Sequence, residues 1–344
     1  MMIIRPITHA DLPALVGLAK STGVGLTTLP PNEAELAKRV DAAVASFAGK
    51  AHKAEEIFLF VLEDSAVKRV VGTSGLATAV GLRQPWYSYR VGLVVHASQE
   101  LGQFTQTPTL FLTNDHTGHS ELCSLFLDAA YRRDHNGQLL SKSRLLFLAG
   151  HRERFSKKII AELRGVSDDN GKSPFWESLG RHFFSMEFSQ ADYLTGIGKK
   201  SFVAELMPKH PLYSSFLTPD AQAVIGKTHP HTLPAMRMLE SEGFRYEGYV
   251  DIFDAGPTVE CDVDDVNAVA RSHMFKVVVD ERVPVADAVV YLVCNTGIDN
   301  YRATLVSAAP HGDTFTLNAE TTVALNIKAG DDIRAVPLSV SDRH

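Results

Sequence analysis

The fold of this chain is decided by residues 109–133, which read TLFLTNDHTGHSELCSLFLDAAYRR. The apolar run at 110–112 predicts a buried strand. A short polar turn at 114–119 follows it, and Ser120 is a good N-cap for a helix. Behind the cap, apolar residues recur at three- and four-residue spacing, which predicts an amphipathic helix with its apolar stripe at Leu122, Leu125, Phe126, Ala129 and Ala130. The segment therefore predicts a strand, a turn and a helix.

The start of this predicted helix is a candidate phosphate site. The first-turn N–H groups of a helix lack helical partners and carry the positive end of its dipole, so they hold a diphosphate without a cationic side chain. The turn contains one glycine, Gly118, and no Gly-Lys-Ser/Thr sequence, so it matches neither a P-loop nor a dinucleotide fingerprint. An ordinary strand-to-helix turn is the alternative that the residues alone leave open.

Composition describes a globular chain with room for more than one domain. It has 344 residues, 45% of them hydrophobic and 22% charged, with a formal net charge of −6. No basic run is long enough to predict binding to nucleic acid or to a membrane surface. The chain has no apolar stretch near the roughly 18 residues of a membrane span and no signal-peptide pattern, so we expect a cytosolic protein.

Cysteine usage agrees with that expectation. The three cysteines, Cys123, Cys261 and Cys294, are widely separated and odd in number. This pattern suits a reducing compartment and excludes a Cys-x-x-Cys metal or redox motif.

The rest of the chain alternates between helical and strand patterns. Strands are predicted at 2–7, 57–63, 70–79, 144–149 and 244–253, and helices at 11–20, 32–47, 155–164, 173–183 and 233–242. From about residue 259 the helical period fades, and valine-rich segments predict strands at 275–279, 288–294, 303–308 and 321–327. We therefore predict a mixed α/β fold, with one region at 1–258 and a small β-rich C-terminal module at 259–344.

Three separated blocks of the sequence resemble one enzyme family. They are TLFLTND with TGHSEL at 109–122, GKTHP at 226–230, and EGFRYEGYVDIFDAGP at 242–257. In this order they resemble the arginine N-succinyltransferase family, and the element order resembles the wider GNAT superfamily of acyl-CoA N-acyltransferases. The resemblance covers nearly the whole chain. It implies a GNAT-like mixed sheet flanked by helices, with CoA bound by the segment at 109–133 and a catalytic block at 226–257.

The resemblance also implies an activity and a set of site residues. The expected reaction transfers the succinyl group of succinyl-CoA to the α-amino group of L-arginine, the first step of arginine catabolism by the succinyltransferase pathway. It implies His229 as the proton donor and Leu125 as a contact of succinyl-CoA. The diphosphate would be held by Thr117, Gly118, His119 and Ser120. We expect no permanently bound cofactor, and either a homodimer or association with a similar subunit.

The residues themselves leave alternative roles open for His229 and Leu125. A histidine exchanges a proton near neutral pH, and the prolines around His229 favour a loop ahead of a helix. A structural histidine bonded to a nearby carbonyl is the alternative, and we treat His231 as a capping or supporting residue. Leu125 lies on the apolar stripe, where core packing explains it equally well.

Other reactive side chains are weaker candidates. His116 and His119 have no third metal ligand at a familiar spacing, so we predict no metal site. Cys123 at a helix start would favour a thiolate nucleophile, but it lacks a histidine and acid context, so we favour direct transfer in a ternary complex. Substrate charges require charged partners, and five residues of suitable type are left unassigned because surface charge explains each of them: Asp251, Asp254, Arg90, Arg152 and Arg154.

Three functional alternatives stay open. The substrates could be ornithine in place of arginine or acetyl-CoA in place of succinyl-CoA. The chain could be a non-catalytic or regulatory subunit, or a sensor that binds acyl-CoA without turnover. The presence of His229 favours a catalytic chain over a degenerate partner.

Overall fold

A computed structural model of the protein describes residues 1–22, 28–168, 170–198, 201–281 and 288–339. Its strands in chain order are β1 (Met2–Pro6), β2 (Ile57–Asp64), β3 (Arg69–Ala77), β4 (Ser88–Ser98), β5 (Gln103–Thr113), β6 (Ser120–Leu127), β7 (Lys158–Glu162), β8 (Leu212–Tyr213), β9 (Arg245–Val250), β10 (Pro257–Asp262), β11 (His273–Val279), β12 (Val289–Asn295), β13 (Ala303–Ala308), β14 (Thr314–Leu317) and β15 (Asp332–Pro337).

The helices are α1 (Leu12–Lys20), α2 (Glu33–Phe47), α3 (Asn136–Gly150), α4 (Arg181–Phe183), α5 (Phe188–Gly196), α6 (Ser201–Leu206), α7 (Pro219–Val224), α8 (Leu233–Ser241), α9 (Asn267–Ala270) and α10 (Ala319–Leu325). A π-helical segment, Trp176–Gly180, leads directly into α4. None of the described helices has both the length and the apolar composition needed to span a bilayer.

All of these strands belong to one mixed sheet in the described part of the chain. Their order is β14-β11-β15-β12-β13-β1-β2-β3-β6-β7-β10-β9-β4-β5-β8. Neighbours pair antiparallel except for β6 with β7 and β11 with β14, which are parallel. The parallel pair β6 and β7 is joined through α3, as a crossover between parallel strands requires. The predicted mixed α/β fold with flanking helices is confirmed.

Helices cover both faces of the sheet around β2. Side chains alternate along a strand, so Phe58 and Phe60 face the cluster that contains α3, while Leu59 and Val61 face the cluster built by α1 and α2. A third cluster packs residues 175–221 against β4, β5 and β9. The strands that carry the candidate site are therefore held from both sides.

Several predicted elements are confirmed. The strand at 2–7, the paired strands at 57–63 and 70–79, and the helices at 11–20, 32–47, 173–183 and 233–242 lie where the patterns placed them. Asn32 caps α2 by accepting a hydrogen bond from the amide of Glu35 at 3.1 Å. The strand β4 has no counterpart among the predicted elements, although it contains the apolar run 91–95, and much of it is exposed.

The helix predicted after Ser120 is wrong, because β6 occupies residues 120–127. The pairing of β6 with β3 shifts register between Thr73 and Gly75 of β3, and Ser124 of β6 has a left-handed φ of 51°. Such a bulge places two residues opposite one and breaks the alternation of side chains. A bulged strand therefore produced the three- and four-residue spacing, and Ala129 and Ala130 belong to the 3₁₀ turn Ala129–Tyr131 that follows.

The next two predictions are also wrong, for a related reason. The segment predicted as a strand at 144–149 is the second half of α3, which is buried around most of its circumference. A helix without an exposed polar face shows no helical period. The segment predicted as a helix at 155–164 contains β7, a central strand covered on both faces. Such strands appear in the sequence as short continuous apolar runs. Neither the length nor the period of an apolar run therefore distinguishes a buried helix from a central strand.

The C-terminal part continues the same sheet. The pairing of Ile4 with Ala303 joins β1 to β13, and β11 to β15 surround their own apolar cluster. Strands predicted at 275–279, 288–294 and 303–308 are confirmed, whereas 321–327 is wrong because α10 occupies most of it, capped by Asn318. The predicted division at 258/259 falls within β10, and residues 282–287 and 340–344 lie outside the described residues.

A buried ion pair ties α3 to the end of α8. The Nζ of Lys142 lies 2.7 Å from Oε1 of Glu242, and both side chains are less than a tenth exposed. Lys142 also donates to the carbonyl of Leu338 at 2.9 Å, and Oε2 of Glu242 accepts from the amide of Ala268 at 2.7 Å. Both charges therefore have several partners, which a buried pair needs to offset its desolvation.

Removing one member of this pair should be costly. We expect Lys142→Met to lower the free energy of unfolding by about 3–5 kcal/mol, because it leaves the Glu242 carboxylate buried without its cation. The double variant Lys142→Met/Glu242→Gln should recover part of the loss, since a neutral amide still accepts from Ala268. Urea unfolding of the wild type, the single variant and the double variant measures these free energies. Equal stability of the single variant and the wild type would contradict the prediction.

Candidate active site

The candidate site begins where two parallel strands part. β6 and β7 pair only at Ser120 with Ile159 and at Glu121 with Ile160. β6 nevertheless continues to Leu127 and β7 to Glu162. Beyond Glu121 the facing edge of β6 therefore has no ladder partner on β7, and the amide of Ser124 donates instead to Oγ1 of Thr28 at 3.0 Å.

A large cavity fills the gap between these strands. Its volume is about 1070 Å³, which is in the upper range for a small-molecule site. The walls come from residues 121–127 of β6, residues 161–164 at and just after the end of β7, the start of α3 with the loop before it, and one side of α8. The cavity thus runs from the diverging strands to a helix N-terminus.

The loop in front of α3 has the features of an anion site. It carries Arg132 and Arg133, and the next two residues, Asp134 and His135, have left-handed φ values of 52° and 62°. These dihedrals turn the chain into the first turn of α3, a helix of 15 residues. Arg132 is oriented by a hydrogen bond from its Nε to the carbonyl of Leu127 at 3.1 Å, while Arg133 is exposed.

The turn chosen from the sequence as the diphosphate site looks different. The amides of Thr117, Gly118 and His119 donate to the carbonyls of Asn114, Val80 and His116, and the amide of Ser120 donates to Oγ of Ser156. No helix follows this turn, so the helix dipole invoked for it does not exist. The assignment of these four residues to cosubstrate binding stays a prediction, but its structural premise is wrong.

Leu125 lies on the wall of the large cavity. It is half-buried on β6, just after the bulge at Ser124, and it also packs against the main apolar cluster. Core packing therefore applies to this side chain, which also has a position on the cavity wall. Its role as a cosubstrate contact stays a prediction.

His229 lies just behind the cavity wall. Its amide donates to the carbonyl of Arg164 at 2.8 Å, and its Nδ1 accepts from the amide of His231 at 3.2 Å. The side chain thus caps the 3₁₀ turn Pro230–Thr232, a role that we had expected for His231. Because Nδ1 accepts, the neutral ring carries its proton on Nε2. His231 is exposed and lines the cavity.

The catalytic block packs against the end of β7 through glycines. The carboxylate of Asp254 accepts from the amides of Gly165 and Gly256 at 2.7 and 2.8 Å. A Cβ on Gly256 would lie 2.1 Å from the carbonyl oxygen of Leu163, so only glycine fits there. Burial and the neighbouring Asp251 raise the pKa of Asp254 well above its usual value. The block therefore docks at a fixed position beside the cavity.

Arg144 and Cys123 meet beneath the cavity at the bulge of β6. The fully buried guanidinium of Arg144 donates to the carbonyls of Gly75 on β3 and Cys123 on β6 at 3.1 and 3.2 Å. Burial lowers its pKa to about 10, and burial raises the pKa of the Cys123 thiol to about 12. Cys123 is thus a neutral thiol at physiological pH, which does not suit a nucleophile.

We therefore expect no acyl-enzyme. Incubation of the protein with succinyl-CoA alone should add no succinyl mass to the chain, and Cys123→Ala should retain most of the wild-type kcat. Intact-mass spectrometry and a thiol-release assay measure the two quantities. A stoichiometric succinyl adduct on the wild type that Cys123→Ala abolishes would contradict direct transfer.

The other reactive candidates have local partners. His116 is buried between Ser88 and Glu260, at 3.3 and 3.4 Å, and burial lowers the pKa values of His116 and His119. Among the residues that the structure describes, no group of three or more His, Cys, Asp or Glu could hold a metal ion. Of the five unassigned charged residues, Asp251 and Asp254 line the cavity, while Arg90, Arg152 and Arg154 contact Tyr249, Asp264 and Glu56.

Sequence reasoning missed the loop at 132–137. A signal was present, since the run Asp134-His135-Asn136-Gly137 directly precedes an apolar segment, and clustered turn residues at such a position indicate a helix start. It also missed Glu121 and Glu162, which lie where β6 and β7 part. Their contribution depends on strand pairing, which the sequence did not reveal.

Together, the split parallel strands, the α3 crossover and the helices on both faces define an acyltransferase of the GNAT-like fold. A sequence model of the family described as arginine N-succinyltransferase beta subunit matches residues 2–268, and one for the C-terminal domain of that subunit matches residues 275–337. The chain belongs to the arginine N-succinyltransferase family.

Individual relatives are similar along their whole length. The arginine N-succinyltransferase subunit beta of Pseudomonas aeruginosa is 56% identical over 99% of this chain and 100% of that protein. The arginine N-succinyltransferase of Salmonella paratyphi B is 52% identical over 100% and 99%. The solved structure of the arginine/ornithine succinyltransferase subunit AI from Pseudomonas aeruginosa has a TM-score of 0.91 at 34% identity, covering 99% of both chains.

Proposed function

We propose that this acyltransferase transfers the succinyl group of succinyl-CoA to the α-amino group of L-arginine, giving N2-succinyl-L-arginine and CoA. The observation that carries the proposal is the cavity between β6 and β7, which leads from a helix N-terminus to the point where the strands part. The names of its full-length relatives support arginine as the acceptor. L-ornithine is a second candidate, because the solved relative is described as acting on both.

We assign the diphosphate of succinyl-CoA to the start of α3. The helix has 15 residues, and Asn136, Gly137 and Gln138 of its first turn line the cavity together with Arg132 and Arg133. A helix dipole and two guanidinium groups favour an anion at this position. The pantetheine arm would then run along the open edge of β6, past Leu125, toward Glu121.

Substitutions in the loop before α3 and in the turn at 114–119 should affect the KM for succinyl-CoA differently. We expect Arg133→Ala to raise the KM for succinyl-CoA roughly fivefold, because an exposed pair with phosphate contributes about 1 kcal/mol. Thr117→Ala, in the turn chosen from the sequence, should leave this KM unchanged. Steady-state kinetics with varied succinyl-CoA at saturating L-arginine measure both. A higher KM for Thr117→Ala alone would return the diphosphate to residues 117–120.

For the chemical step we assign direct attack. The neutral α-amino nitrogen bonds to the thioester carbonyl carbon, the C–S bond breaks, the nitrogen loses one proton, and the CoA thiolate gains one. His229 is the proposed donor to the thiolate, since Nδ1 is held by the amide of His231 and Nε2 then carries a proton.

The first experiment is release of free CoA thiol from succinyl-CoA on addition of L-arginine. We expect His229→Gln to lower kcat by roughly 10²–10⁴-fold, the usual contribution of a positioned proton donor. His231→Gln, which keeps the backbone amide that orients His229, is the matched control and should stay close to wild type. Circular dichroism of each variant checks that it is folded.

Two outcomes would overturn the assignment. If His231→Gln loses activity and His229→Gln does not, the donor is His231, which lines the cavity directly. If the wild type releases no thiol with L-arginine, L-ornithine or any other amine, the proposed reaction is wrong for this chain alone.

We also infer that the chain works in the cytosol and associates with a second copy or a similar subunit. The three cysteines are free thiols buried in the structure, which suits a reducing compartment. Two of its relatives are described as subunits, which supports an assembly. Sedimentation of the purified protein gives its oligomeric state.

A further inference from the structure

A smaller cavity adjoins the one that we assign to succinyl-CoA. Its volume is about 400 Å³. Five residues line both cavities, namely Thr28, Glu121, Glu162, Asp251 and Phe253. Glu121 is the last residue of β6 that pairs with β7, and Glu162 ends β7. The two cavities therefore meet where the strands begin to part.

The two cavities reach helices on opposite faces of the sheet. The smaller one is lined by Arg39 and Ala42 of α2, and the larger one by the first residues of α3. Because α2 and α3 pack against alternate side chains of β2, they lie on opposite faces. Two reactants can thus approach the junction from different sides.

The junction is acidic. Three of the five shared residues are carboxylates, and Glu121 is buried. All three also make further polar contacts within the chain, and a carboxylate has about four acceptor positions, so it can bind a cationic ligand in addition. A cation that enters this junction meets negative charge from β6, β7 and the end of β9.

Two buried hydrogen-bonding groups of the smaller cavity have no hydrogen-bond partner within the described part of the chain. Thr195 of α5 is 8% exposed, and its Oγ1 has no hydrogen-bond partner among the described residues. Nη2 of Arg39 donates to Oγ of Ser124 at 3.2 Å, but its buried Nε has no such partner either. Buried polar groups are normally paired, so these two make the wall of the smaller cavity polar rather than apolar. A guanidinium with an unused N–H binds a carboxylate best.

We propose that the smaller cavity binds the amine acceptor as a cationic α-amino acid. Arg39 and Thr195 take its α-carboxylate, Glu121, Glu162 and Asp251 hold its side-chain cation, and its α-amino group is in the neutral form that attacks the thioester. The assignment rests on the proposed function, since it identifies the binding site of the second substrate. The α-amino and α-carboxylate groups share one carbon, so a carboxylate at Arg39, which contacts Ser124 of β6, brings the amine beside the open strand edge.

Substrate analogues separate the two kinds of contact. We expect Arg39→Gln to raise the KM for L-arginine about tenfold while changing that for agmatine, which lacks the carboxylate, by much less. Glu162→Gln should raise the KM for both, because both keep the guanidinium. The KM for succinyl-CoA should not change in either variant. Arg69→Gln, which removes an exposed arginine outside both cavities, is the matched control.

The assignment is overturned if Arg39→Gln leaves the KM for L-arginine unchanged or raises it equally for agmatine. It is also overturned if the KM for succinyl-CoA rises as much as that for L-arginine, because this would indicate a structural effect. In either case, thiol release by the wild type still supports the proposed reaction.

Direct binding tests the site without the reaction. Trp86 lines the smaller cavity, so we expect L-arginine, added in the presence of CoA, to change tryptophan emission. The change should disappear in Trp86→Phe, which keeps Trp176, and should need far more L-arginine in Arg39→Gln. Binding of L-arginine without thiol release would contradict the proposed reaction but would still support this binding site. No binding to the wild type would overturn the site itself.

Discussion

The separation of β6 from β7 after only two paired residues is the constraint on which the rest of the molecule depends. Two parallel strands at the centre of a sheet would normally share a full ladder, which satisfies their backbone groups and closes the sheet. Here the ladder stops at Glu121, and a cavity of about 1070 Å³ takes its place. The surrounding structure must therefore hold both strands in position without their mutual hydrogen bonds.

Two buried cations on α3 help to hold these strands in position. The guanidinium of Arg144 joins carbonyls of β3 and β6 at the bulge, and Lys142 pairs with Glu242 at the end of α8. Each charge is surrounded by several hydrogen-bond partners, so the helix is fixed in rotation as well as in position. Because the same helix begins at the cavity, the residues of its first turn are fixed in the cavity wall.

The candidate site uses both faces of the sheet. Succinyl-CoA is assigned to the side of α3, and the amino acid to the side of α2, with Glu121 and Glu162 between them. A closed sheet would separate two such pockets completely. In this structure the two cavities share lining residues at the gap between β6 and β7, and three of the five shared residues are carboxylates.

Much of this could be predicted from the sequence, because several patterns are local. The apolar stripe and the cap at Asn32 determined α2, the three blocks determined the family, and the prolines around His229 determined a loop before α8. The segment after Ser120 could not be assigned correctly, since the bulge at Ser124 gives a strand the spacing of a helix. Only the tertiary structure decided where β6 and β7 part, and with it that α3, rather than residues 117–120, presents a helix N-terminus to the cavity. That choice depends on pairing between strands 30 or more residues apart, and such contacts leave no mark on local periodicity.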